Sequence, residues 1–134
     1  MRILLADDEK YVRSAVRIIL EQQSGLNIVG EAAELDGLIE QISEKKADLV
    51  LLDWELPDSS ISGVIPMLRK LSPNLKIIAM SSRPEASKAA LTAGVDAFVS
   101  KGDQPERLLE AIRNIRVELL SSRFSGGESN VKHV

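Results

Sequence analysis

Cysteine is absent from the 134-residue chain, which rules out a disulfide framework and any thiolate-bound metal. Histidine occurs once, at His133 in a polar terminal stretch, where it is a poor candidate for catalysis or metal binding. Long apolar runs are missing too. The longest, around Leu49 to Leu52, has strand length, far short of the roughly 20 residues that cross a bilayer, so no membrane partner is expected. Nothing at the N-terminus resembles a signal peptide, and a cytoplasmic setting is the default expectation. A net charge of -3 and a pI near 5.2 argue against the basic face of a free-standing nucleic-acid binder. Any contact with DNA would need another domain.

What is present is the profile of one soluble globular domain: 44% hydrophobic and 28% charged residues, enough to bury a core. Short apolar runs alternate with longer segments of helical spacing, the signature of an α/β fold around a parallel sheet. Ile3 to Ala6, Leu49 to Leu52 and Ile77 to Met80 lack polar alternation, as strands covered on both faces do. Leu26 to Gly30 and Ala97 to Val99 are weaker strands, the latter following the turn residues Gly94 and Asp96. Helices are predicted over Tyr11 to Gln22, around Leu35 to Ile42, over Gly63 to Leu71, over Pro84 to Ala93 and over Pro105 to Leu120. From about residue 121, the serines and glycines of Ser121-Ser122 and Ser125-Gly126-Gly127 break the pattern. The expected division is therefore a domain over 1–120 and a flexible tail or linker over 121–134. Five strands alternating with five helices fit a flavodoxin-like doubly wound sheet of order 2-1-3-4-5.

Such sheets bind ligands outside the carboxyl ends of their strands. Asp7 and Asp8 follow the first strand, Asp53 the third, Ser81 and Ser82 the fourth and Lys101 the fifth. In the proposed order these side chains converge on one rim. Carboxylates brought together there repel by roughly 4 kcal/mol per pair at 4 Å and an effective dielectric near 20. A hard divalent cation relieves that repulsion, and Mg²⁺ does so with one or two carboxylates while leaving room for phosphate oxygens. Asp53, alone at its strand end, is the best nucleophile for phosphorus, and Asp7 and Asp8 fit better as metal binders, with Asp53 itself sharing the cation. The cation and Lys101 would then neutralise the phosphoryl oxygens, and Ser81 could donate to one of them.

With Ile3-Leu4-Leu5-Ala6-Asp7-Asp8-Glu9, Leu49-Val50-Leu51-Leu52-Asp53 before Leu56-Pro57, Ile77-Ile78-Ala79-Met80-Ser81 and Gly94 to Lys101 in this order, the chain resembles the response regulator receiver family of two-component signalling over residues 1 to about 120. The resemblance implies Asp53 as phosphoacceptor, Asp8 as direct Mg²⁺ ligand and Asp7 as a ligand largely through water. It adds the Glu55 backbone carbonyl as a further ligand, Ser81 as the hydroxyl that follows the phosphoryl group and Lys101 as its counter-charge. Phe98 stands where the family keeps an aromatic that turns inward on activation. Implied partners are a histidine kinase or a phosphotransfer protein, since no internal histidine can serve as donor. Homodimer formation through the fifth helix stays open, and the wording of residues 72–82 and 101–112 is most similar to receivers that precede a helix-turn-helix DNA-binding domain. The expected role is a conformational switch, not an enzyme.

Several positions depart from the family. Gly63 comes ten residues after Asp53 where eight is usual, with Ser59-Ser60-Ile61-Ser62 between, so a longer loop is expected. Pro66 falls near the end of the first turn of the third helix, where it removes a hydrogen bond unless the helix starts late or is distorted. Ser82 replaces a smaller apolar residue, and Gly102 replaces the proline that commonly follows the lysine, which leaves the usual cis peptide open. Plainer readings compete: Asp7 and Asp8 as helix caps, Asp53 as a solvated loop acid, Ser81 as a turn residue, Trp54 and Phe98 as packing. Two other functions share the same residues. One is a phosphate-independent binding module, and the other is a small phosphatase using Asp53 and Glu55 around Trp54.

Overall fold

The computed structural model describes residues 1–57 and 61–132, with side chains through Ser121. Ser59, Ser60 and His133 lie outside the described residues. Five strands, β1 (Arg2–Ala6), β2 (Asn27–Ala32), β3 (Leu49–Asp53), β4 (Lys76–Ser81) and β5 (Ala97–Ser100), alternate with five helices. These are α1 (Lys10–Glu21), α2 (Leu35–Lys45), α3 (Ile61–Leu71), α4 (Ser87–Ala93) and α5 (Pro105–Lys132). All strand pairs are parallel and the order is β2-β1-β3-β4-β5, the flavodoxin-like arrangement expected from the sequence.

Alternate residues of each strand feed two separate cores, one on each face of the sheet. Leu4, Val50, Leu52, Ile77 and Ala79 pack with Leu38 and Ile42 of α2 and Val64, Ile65 and Leu68 of α3. Ile3, Leu5, Leu49, Leu51, Ile78 and Met80 pack with Val16 and Leu20 of α1 and Leu108, Ile112 and Ile115 of α5. This is why the central strands read as unbroken apolar runs: each face has its own helical cover.

The boundaries differ from the expected ones where polar residues join an element. β2 runs on through Glu31 to Ala32, because its ladder with β1 continues to the Ala6–Ala32 pair after a register shift near Ile3 and Leu4. As an edge strand it tolerates Glu31, whose carboxylate is held by Arg13 at 2.8 Å and Arg17 at 2.6 Å. α3 starts at Ile61, two residues earlier than predicted, and keeps Pro66 inside. The buried Ile61, Val64, Ile65 and Leu68 hold it in place despite the missing N–H. Pro84 opens a single 3-10 turn (Pro84–Ala86) before α4 begins. Helix α5 passes the predicted end at Leu120 and continues to Lys132, through the serines and glycines expected to break it. Among the described residues every peptide bond is trans, including the one after Lys101.

Leu68→Ala, at a fully buried α3 position, should cost about 2–5 kcal/mol of unfolding free energy in urea titration. Val117→Ala, at an exposed position on α5, should stay within about 0.5 kcal/mol.

Candidate functional site

The strands end their pairing at one rim, where their last paired residues and the ones just beyond them meet. Asp7 follows β1 and donates its N–H to the Ala32 carbonyl at 3.0 Å, which carries the ladder one step further. Asp53 closes β3 opposite Met80, and the Trp54 N–H donates to the Met80 carbonyl at 2.7 Å. Ser81 closes β4, and its carbonyl accepts the Lys101 N–H at 2.8 Å. Carboxylate oxygens of Asp7, Asp8 and Asp53 lie within 4.8 Å of one another, with Asp7 and Asp53 buried and Asp8 exposed.

Lys101 joins two of these acids. Its Nζ lies 2.8 Å from Asp7 Oδ2 and 3.2 Å from Asp53 Oδ1. The other bonds come from the backbone: the Glu9 N–H donates to Asp7 Oδ1 at 2.9 Å, and the Glu55 N–H to Asp53 Oδ1 at 3.0 Å. Burial pushes the Asp53 carboxyl up to about 6. The Glu55 N–H and Lys101 oppose that rise and the charge of Asp7 adds to it. Burial also works to lower Lys101, but its hydrogen bond to Asp7 and the charges of Asp53 and Asp7 prevail and raise it. Two buried acids sharing one ammonium leave net negative charge, and an all-oxygen donor set of this kind fits a receiver-type Mg²⁺ site.

The response regulator receiver domain family matches residues 3–113. The chain belongs to that family. It is 31% identical over 115 residues to the response regulator protein VraR of Staphylococcus saprophyticus, which covers 84% of this chain and 55% of that one. It is 30% identical over 116 residues to the chemotaxis protein CheY of Thermotoga maritima, covering 85% and 96% of the two chains. The receiver thus spans about half the length of VraR and nearly all of CheY. Among solved structures, a LuxR-family two-component response regulator from Aurantimonas sp. SI85-9A1 superposes with a TM-score of 0.78 at 28% identity, covering 85% of this chain and 83% of that chain. RcsB from Salmonella enterica serovar Typhimurium, bound to promoter rprA in the presence of phosphomimetic BeF3-, also gives 0.78, at 26% identity and coverages of 87% and 98%. This chain therefore carries the receiver domain of two-component response regulators. No helix among the described residues is long and apolar enough to cross a membrane.

The plainer cap reading fares poorly in the receiver. Glu9 is the N-cap of α1 and makes no side-chain cap bond, while Asp7 takes the Glu9 N–H just ahead of the helix and Lys101 from the other side. Ser81 and Glu55 also meet: the Ser81 hydroxyl donates to Glu55 Oε2 at 2.6 Å. Phe98 is half-buried against the α2–α4 core. Two arginines went unremarked in the sequence. Arg13 donates to the Asp7 carbonyl and to Glu31, and Arg83 pairs with Glu55 at 3.6 Å. Arg13 stands beside the apolar stripe of α1 and one turn before Arg17, a position typical of a solvated charge.

The folded protein holds the Asp53 proton more tightly than an unfolded chain near 3.8 does. Its contribution to stability is therefore complete below about pH 4 and is lost as pH rises through about 6. Without divalent cations, Asp53→Asn should raise folding stability at about pH 7.5 by on the order of 2 kcal/mol and change it little near pH 4. Thermal melts of both proteins across that range would show it.

Proposed function

We propose that this receiver accepts a phosphoryl group on Asp53 from a partner histidine kinase or phosphotransfer protein and acts as a conformational switch. The observation that carries the reading is the meeting of Asp7, Asp8 and Asp53 around one point, with the Lys101 ammonium against two of them. In the step, an Asp53 oxygen bonds to phosphorus as the N–P bond of the donor phosphohistidine breaks. The electron pair leaves on the imidazole nitrogen, which takes up a proton. Mg²⁺ would be held by Asp8, Asp53 and the Glu55 backbone carbonyl, with Asp7 acting through water, and would supply charge neutralisation at the phosphoryl oxygens. Lys101 serves as counter-charge, Ser81 donates to the new phosphoryl group, and Phe98 repacks as the Ser81 loop moves.

On this reading the protein is a cytoplasmic signalling domain without turnover of its own. Residues 121–134 are a tail or the start of a linker, contact with DNA belongs to a further output domain, and homodimer formation is one route to output. Moving such a switch from 1:99 to 99:1 takes about 5.5 kcal/mol, which a doubly charged group bound by Mg²⁺, Ser81 and Lys101 can supply.

A small phosphodonor with Mg²⁺ should add one phosphoryl mass to the protein, and Asp53→Asn or chelation of the metal should abolish it. Lys101→Ala should slow labelling by about 10²-fold. Beryllofluoride with Mg²⁺ should shift the fluorescence of Trp54, the sole tryptophan. Absence of both responses would favour the phosphate-independent module, whereas sustained turnover of a phosphate ester that requires Asp53 would favour the phosphatase.

A further inference from the structure

The Ser81 hydroxyl is fully enclosed and already committed. It has one proton to give, which goes to Glu55 Oε2 at 2.6 Å, while its oxygen accepts the Arg83 N–H at 3.0 Å. Glu55 is gripped from the same loop: its Oε1 takes the Ser82 N–H at 3.4 Å, and Arg83 stands 3.6 Å from Oε2. Its own N–H donates to Asp53 Oδ1, so one turn after β3 carries both Asp53 and the carboxylate that holds Ser81. Ser81 lies one residue past Met80, the partner of Asp53 in the β3–β4 ladder, and its carbonyl receives Lys101. Its strand, β4, therefore lies between the strand that ends in Asp53 and the one that precedes Lys101.

We infer that the Glu55 side chain is a positioning residue that competes with the phosphoryl group for the Ser81 hydroxyl and holds the β4 loop in its resting arrangement. The inference rests on the phosphoacceptor reading of Asp53. Both competitors are anionic oxygens and Ser81 offers a single proton, so the two bonds exclude each other. Glu55 must release Ser81 before the hydroxyl can turn to a group on Asp53. Ser82 and Arg83, tied to the same carboxylate, move with it. Arg83 is largely exposed, and its ion pair adds little to the hold. The short hydrogen bond from the buried hydroxyl is the main restraint.

Beryllofluoride affinity in Mg²⁺, read by Trp54 fluorescence on the full chain, tests this in a double-mutant cycle. Glu55→Ala should tighten binding by about tenfold, as release of one charge-assisted hydrogen bond predicts. In a Ser81→Ala background the same substitution should change it less than about twofold. Equal effects in both backgrounds would mean that Glu55 acts only by its charge, and no effect in either would mean that it restrains nothing; each overturns the inference. A parent protein that ignores beryllofluoride would instead defeat the phosphoacceptor reading. The Ser81 Hα–Hβ couplings, measured by NMR without ligand, then decide the contact alone: one fixed rotamer that becomes averaged in Glu55→Ala supports it, and unchanged couplings reject it.

Discussion

Asp7 and Asp53 are buried carboxylates on adjacent strands, and Lys101, arriving from the far edge of the sheet, is the cation within hydrogen-bonding reach of both. Two unscreened acids in such a place would oppose folding, and a single ammonium offsets only part of that. Everything else at the rim follows from the arrangement. The backbone N–H groups of Glu9 and Glu55 are turned inward to the carboxylates, the turns after β1 and β3 are shaped by those bonds, and β5 has to pair with β4 in the register that brings Lys101 across.

The two cores make that placement rigid. Strand residues alternate between the α2–α4 face and the α1/α5 face, so a shift of one residue along any strand would exchange both sets at once. Register is thus secured by apolar burial below the rim, and the costly polar groups are held by a frame that cannot slip. Burial, with the charge of Asp7 adding to it, raises the Asp53 carboxyl to about 6, and added positive charge at the rim would favour its charged form.

A second layer surrounds the acids. Arg13, anchored on Glu31, supports the Asp7 carbonyl, and Glu55 ties Ser81 to the turn that follows β3. The β4 loop is thereby tied by the Glu55 carboxylate to the turn that follows β3. The Glu55 N–H bonds Asp53, and its carboxylate bonds Ser81 and Ser82 and pairs with Arg83, so one residue touches both the β3 end and the β4 loop.

Much of this was legible beforehand because it is periodic or local. Apolar runs bounded by turn residues marked the strands, helical stripes marked their covers, and the alternation limited the topology to few solutions. Asp7, Asp8, Asp53, Ser81 and Lys101 stood out by lying just past strand ends, a position readable without coordinates. The ends of elements were less legible. β2 continues through a glutamate because arginines one helix away neutralise it, and α5 continues past the serines and glycines that mark its expected end. By itself, then, the order of residues determined the sheet, its two faces and which side chains reach the rim, since these depend on periods of two and of about 3.6 along one chain. Only the tertiary structure decided how those side chains pair, with Lys101 on both Asp7 and Asp53, Ser81 on Glu55 and Arg13 on Asp7, because each bond joins segments whose separation in space is set by strand order and not by distance along the sequence.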